Sequence, residues 1–375
     1  MRSRTAKVLV VVVSGMLIAA VVLGAAAFTF FNVHTSHASP TATFHGKPRF
    51  YSVHHNASNA QIATAGYTNL AHFTSSFTYQ GATYKYTMVG TNPALGSRTT
   101  TIPVTVIPLK VVFSTGHPLN GALKVQNTVA SPLFQQATFE SGKTQYGDAI
   151  QRAEFWQLLQ AHNGANYHVL LGQPTIAPVQ MLTVPANIGL EETASNGDTI
   201  GIADINWWDA QLSSIITAQH FSSDTLPIFL SYNVVLDQNA NPNNCCIIGY
   251  HSANSSPTGL QSYAWASNMD AGIFPSADHI QDINPLSHEI SEWYNDPFVY
   301  NTTPVWSVPS QPQYGCSNAL ETGDPLVGVA FYVNGYHPQD EAFFSWFARQ
   351  SPSIGYGKRY TYLNSYSTFS SSAGC

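Results

Sequence analysis

The longest uninterrupted apolar pattern lies at the start of the chain. No charged residue falls between Val8 and Phe31, and the stub ahead of it carries Arg2, Arg4 and Lys7. A basic stub followed by an apolar run longer than the roughly 20 residues that cross a bilayer reads as a secretory signal or a membrane anchor. Ser36 and Ala38 offer the small residues of a cleavage point after Ala38. The expected order is therefore a signal peptide or anchor over residues 1–38, a polar linker over 39–48, and an exported body beyond it.

In that body the pattern shortens. Ser76–Gln80 and Ala82–Met88 flank Gly81 as the two arms of a hairpin. Thr99–Phe113 is a β-branched run broken by Pro103 and Pro108, which suits an edge strand because proline donates nothing to a ladder. Ile150, Ala153, Phe155, Trp156 and Leu159 recur at helical spacing within Asp148–His162, and a second helix is expected over Trp207–Gln219. Asp148 suits the start of its helix; Arg152, one of few cations, is open to pairing with an internal carboxylate, and a structural role is expected for it. Apolar runs at Ile228–Leu236, Cys246–Tyr250 and Ala264–Phe274 read as buried strands. The fold class expected is α+β, with a β-rich region over 49–145 packed on an α+β region over 146–375.

Composition narrows the function. Without Arg2, Arg4 and Lys7, the chain keeps 11 basic against 20 acidic side chains, a net charge of −9. Eleven scattered cations cannot build a nucleic-acid-binding patch. Cys245, Cys246, Cys316 and Cys375 fit two disulfides in an oxidising compartment. Because Cys245 and Cys246 are neighbours, each is expected to pair with a distant partner. They lack the paired spacing of a cysteine metal site. No G-x-S-x-G elbow, phosphate loop or dinucleotide turn is present.

The candidate chemistry lies in Asp282–Pro297. Asn284 is a good N-cap, Pro285 fits the first helical position, and Pro297 ends the helix. At 100° per residue Leu286, Ile290 and Trp293 share one face, while His288, Glu292 and Asn295 share the other. An imidazole and a carboxylate at i and i+4 can ligate one metal. In the H-E-x-x-H helix the glutamate after the first histidine is the general base, a role that falls here to Glu289. Glu292 stands where the second histidine would be. Zn²⁺ accepts a carboxylate there, and the added negative charge also suits a harder ion such as Mn²⁺ or Ca²⁺. The competing reading is the solvent face of a surface helix. Against it, one turn uses two of the chain's eight glutamates beside a histidine.

A third ligand is expected from beyond the helix. Glu321, 29 residues after Glu292, is the first choice and Asp324 the second; the alternative for both is turn chemistry beside Gly323. His251 and His337 are secondary candidates, as is His279, although a lone histidine is more often a hydrogen-bonded structural residue.

The order H-E-x-x-E, Asn/Asp-Pro, an isolated Trp306, then Cys316 followed by Glu321-x-Gly323-Asp324, resembles the plant phosphate-induced protein 1 (EXORDIUM-like) family. It is also similar to uncharacterised exported bacterial proteins with a zincin-like His-Glu helix. The match covers Asp282–Trp346. The resemblance implies that the C-terminal region is zincin-like and secreted.

The function expected is that of an exported metal-dependent hydrolase, a peptidase acting on peptide or protein substrates. His288, Glu292 and Glu321 or Asp324 would hold Zn²⁺ or another divalent cation, and Glu289 would take a proton from the water attacking an amide. The main alternative is a non-catalytic surface module whose Tyr and Trp side chains bind cell-wall carbohydrate. A glycosidase using Glu289 and Glu321 is a further option. Contact with a membrane is expected only through the N-terminal segment.

Overall fold

In a computed structural model the described residues are 44, 46–54, 68–256, 259–368 and 375. The expected signal or anchor and most of the linker lie outside them. Among the described residues no helix is long and apolar enough to cross a membrane.

The chain begins with β1 (Arg49–His54), the hairpin β2 (His72–Tyr79) and β3 (Ala82–Val89), then β4 (Thr99–Ile102) and β5 (Val104–Val112). Short strands β6 (Pro118–Asn120), β7 (Ala137–Phe139) and β8 (Gly142–Thr144) lead to helices α1 (Tyr146–Glu154) and α2 (Trp156–Ala161). Next come β9 (His168–Leu171), β10 (Thr175–Ile176), β11 (Gln180–Thr183), β12 (Gly189–Thr193) and β13 (Thr199–Asp204). Helix α3 (Ile205–Gln219) precedes β14 (Leu226–Tyr232), β15 (Val234–Gln238), β16 (Asn241–Ser256) and β17 (Gly259–Asn268). Helix α4 (Asn284–Asn295), β18 (Thr302–Trp306) and β19 (Ser317–Ala319) follow.

Eleven strands form one mixed sheet in the order β10-β5-β14-β17-β16-β15-β13-β12, with β6 and β11 also on β5 and β1 on β16. Alternate residues of its central strands feed two cores. Val106, Ile228, Leu230 and Ala266 pack with α1 and α4, while Ile107, Phe229, Tyr263 and Trp265 pack with Trp208, Leu212 and Ile216 of α3. Strands covered on both faces read as continuous apolar runs, which is why β14 and β17 were visible in the sequence. The class is α+β.

Several expectations need correction. The run Thr99–Phe113 divides at Pro103, and β5 is an interior strand rather than an edge: it pairs with β14 at 104–108, with β10 at 105–106 and with β11 at 109–112. Pro108 falls in the gap between β10 and β11, where no donor is missed. Ile228–Leu236 is two strands, because Asn233 takes a left-handed φ of 50° and sends β15 to the far side of β16. Strands from both sides of residue 145 share this sheet, and residues 41–375 form one unit, so the division expected near 145 separates no independent body. Arg152 does play a structural part, donating to the carbonyls of Ser141, Ala165 and Tyr167 and not to a carboxylate.

The disulfides also differ from expectation. Cys245 is bonded to Cys246, and Cys316 to Cys375 across a Cα separation of 5.8 Å. The expectation of distant partners rested only on the two cysteines being neighbours. They lie where the register of β16 against β15 shifts, on both sides of Asp237.

Candidate metal centre

Three segments remote in sequence meet at α4. The helix contributes His288, Glu289 and Glu292, β16 contributes His251, and the loop after β19 contributes Glu321 and Asp324. Pro285 lies in the first turn, and Asp296, before Pro297, closes the helix. The helix begins one residue earlier than expected: Asn284 does not cap it, and its Nδ2 donates to the carbonyl of His337.

All twelve residues of α4 are buried. Ile290, Trp293 and Tyr294 face the core, and the Trp293 Nε1–H donates to Ser262 Oγ at 3.0 Å. The opposite stripe faces protein as well, which removes the solvent-face reading. His251, His288 and Glu289 are fully buried, and Glu292, Glu321 and Asp324 nearly so.

Glu292 is the shared member. Its Oε1 accepts from the Gly323 and Asp324 N–H groups at 3.0 and 3.2 Å, fastening the loop to the helix. Its Oε2 lies 3.0 Å from His288 Nε2 and 3.7 Å from His251 Nδ1. Asp324 Oδ1 is 3.6 Å from His288 Nε2. Two sets of ligand atoms therefore lie within 4.8 Å of one another: His288, Glu292 and Asp324, and His251, Glu289 and Glu292.

The hydrogen bonds distinguish the two sets. His251 Nε2 lies 3.1 Å from the Asp296 carbonyl and its Nδ1 lies 3.1 Å from Glu289 Oε2, so both nitrogens are engaged. By contrast His288 Nε2 and Asp324 Oδ1 are buried without a hydrogen-bond partner, as are Glu289 Oε1 and Glu321 Oε2. The His288–Glu292 approach is an i,i+4 ion pair at 3.0 Å. Buried polar atoms are nearly always paired, so orphans converging on one point are what a cation would satisfy. His288, Glu292 and Asp324 fit that role best.

The charges agree. Burial pushes the carboxyls of Glu289, Glu321 and Asp324 well above their usual range, and the neighbouring Glu292 adds to this. Burial opposes ionisation of Glu292 too, but His288 and His251 outweigh it and hold its carboxyl below the usual range. No lysine or arginine among the described residues pairs with these four acids; their ion-pair partners are the two histidines. Buried acids without countercharge must stay protonated or take up a cation.

Glycines admit the site's side chains. A Cβ on Gly323 would lie 2.3 Å from His288 Nδ1, and one on Gly249 would lie 2.7 Å from Glu289 Oε1. Both positions must be bare for the helix to seat. Gln339, which sequence reasoning missed, places Nε2 2.8 Å from His288 Nδ1 and donates to the Gly323 carbonyl at 2.8 Å. A metal-bound imidazole donates through its second nitrogen. Binding at Nε2 thus requires an acceptor at Nδ1, where the Gln339 Nε2 that also donates to the Gly323 carbonyl now stands. Glu341, also missed, is buried with one oxygen on the Tyr146 hydroxyl.

Of the other sequence candidates, Glu321 reaches the site but stands back from the closer triad, its Oε1 accepting from Ser52 Oγ and its Oε2 3.8 Å from His251 Nε2. His337 does not reach it: its ring is paired with Asp282 at 2.8 Å, at the entry to α4. His279 is an exposed left-handed turn residue. The cysteines, bonded to one another, leave no thiol for a metal. Compared with protein-family models, curated proteins and solved structures, the chain matches none.

Proposed function

We propose that the protein is an exported metal-dependent hydrolase, a peptidase with a zincin-like helix, holding Zn²⁺ or another divalent cation on His288, Glu292 and Asp324. The observation that carries this reading is the convergence on the Glu292 carboxylate of two buried atoms that make no hydrogen bond, His288 Nε2 and Asp324 Oδ1, held otherwise only in ion pairs with each other and with Glu292. A bound cation of this type polarises a substrate carbonyl and makes water a stronger acid.

The chain's own groups supply the rest. Glu292 holds the 323–324 loop with one oxygen and offers the other to the cation. Glu289, one residue from the first ligand, is a carboxyl whose surroundings raise its proton affinity; such a group takes a proton from an attacking water and returns it to the leaving amine. His251 orients Glu289 through Nδ1 and is itself held by the Asp296 carbonyl.

The test is metal content per chain, followed by Glu289→Gln. One ion per chain in both proteins, with peptide hydrolysis reduced about 10²–10⁴-fold in the variant, is the expected result. Full activity in the variant would remove Glu289 as base, and a chain that takes up no divalent ion would remove the metal. The complete burial of the cluster favours a second reading, a structural ion in a non-catalytic surface protein. Chelation that unfolds the chain while no hydrolysis exists to be lost would support it.

A further inference from the structure

β1 lies on top of this site. Phe50 is 1% exposed, and its ring stacks on the His288 imidazole with centroids 3.4 Å apart and planes at 10°. Two residues on, Ser52 Oγ donates to Glu321. The Phe50 N–H donates to the Tyr314 hydroxyl at 2.9 Å. Alternation puts residues 50 and 52 on the inward face of the strand, level with Gly249 and His251 of β16, while Tyr51 points outward and is 42% exposed.

Among the described residues β1 pairs with β16 alone, in parallel, at Ile247–Ala253, taking over at Ile247 where the pairing of β15 with β16 ends. Without it, that stretch of β16 would present unpaired backbone groups beside His251 and His288, which is the template for adding an extended peptide.

We propose that β1 occupies the site's own substrate groove: an extended peptide binds alongside Ile247–Ala253 of β16, with a large aromatic side chain on His288 and a small hydroxyl side chain two residues later on Glu321. This deepens the peptidase reading and rests on it for the purpose of the groove. β1 is then an internal competitor, and the wild-type chain binds such peptides only in the fraction of molecules where β1 has left. That explains why a hydrolytic centre is buried.

The probe is a labelled peptide with the β1 sequence, Arg-Phe-Tyr-Ser-Val-His. Tyr51→Pro in the full chain loosens β1 without touching its inward side chains. Since the Phe50 N–H points away from β16, alternation aims the Tyr51 N–H at it, and proline removes that donor. The peptide should bind this variant at least about tenfold more tightly than wild type, because apparent affinity scales with the competent fraction. It should also protect the amides of residues 247–253 from hydrogen exchange. Equal affinity for the two chains, no binding to the variant, or protection elsewhere overturns the proposal. Phe50→Ala gives a second release if the proline chain does not fold. Zn²⁺ uptake is measured separately: peptide binding at 247–253 by a chain that takes no metal ends the hydrolase reading and leaves the groove, while metal uptake without peptide binding does the reverse.

Discussion

Glu154, the last residue of α1, offers the most quantitative test of how this interior treats carboxyl groups. It is fully buried; Oε2 accepts from the Phe344 N–H at 3.2 Å and Oε1 has no partner. Burial pushes its carboxyl from 4.5 to about 8, against the hydrogen bond from the Phe344 N–H. The folded chain therefore binds this proton more tightly than the unfolded chain. The stability it contributes is complete below pH 4.5 and is lost as pH rises through about 8. At 1.36 kcal/mol per pH unit, the loss is about 1 kcal/mol at pH 5 and about 4 kcal/mol at pH 8. Glu154→Gln keeps the size and the acceptor and has no proton to lose. Relative to wild type it should gain about 3 kcal/mol between pH 5 and pH 8, read by urea denaturation followed through tryptophan fluorescence. The remaining buried acids, among them Asp296 at about 7, are present in both chains and cancel in the difference. Stability–pH curves that run parallel for the two chains would refute the reasoning, because Glu154 would then be ionised or charge-compensated when folded.

Gly323→Ala tests the seat of the helix. The backbone there is ordinary (φ −85°), so the effect is steric: the new Cβ meets a His288 ring already stacked on Phe50. Overpacking of about 1–3 kcal/mol in thermal melts is expected, together with weaker Zn²⁺ binding by calorimetry; an unchanged Zn²⁺ affinity would show that His288 is not a ligand. Peptide mapping without reduction should recover Cys316 joined to Cys375, and a link from either of them to Cys245 or Cys246 would overturn that pairing. Cys316→Ser opens a 59-residue separation and should lower stability by about 4 kcal/mol on chain-entropy grounds, as measured by denaturant titration.

What the sequence alone determined was local. Helix α4 was legible because Pro285, Pro297 and a 3.6-residue period act within a few residues, and the neighbouring of His288 and Glu292 is a property of any helix at that spacing. The hairpin around Gly81 and the apolar runs of β14 and β17 were legible for the same reason. Tertiary structure alone decided the rest. That the polar stripe of α4 faces inward depends on β16 and the 321–324 loop, so burial, orphaned atoms and raised proton affinities could not be read from the helix. Phe50, Ser52, Gly249 and Gln339 act on the site across 40 to 269 residues of sequence, through contacts that leave no periodic trace. Pro108 misread as an edge signal and the mispaired cysteines have one origin: which backbone groups lack partners, and which side chains meet, is settled by neighbouring strands rather than by the strand itself.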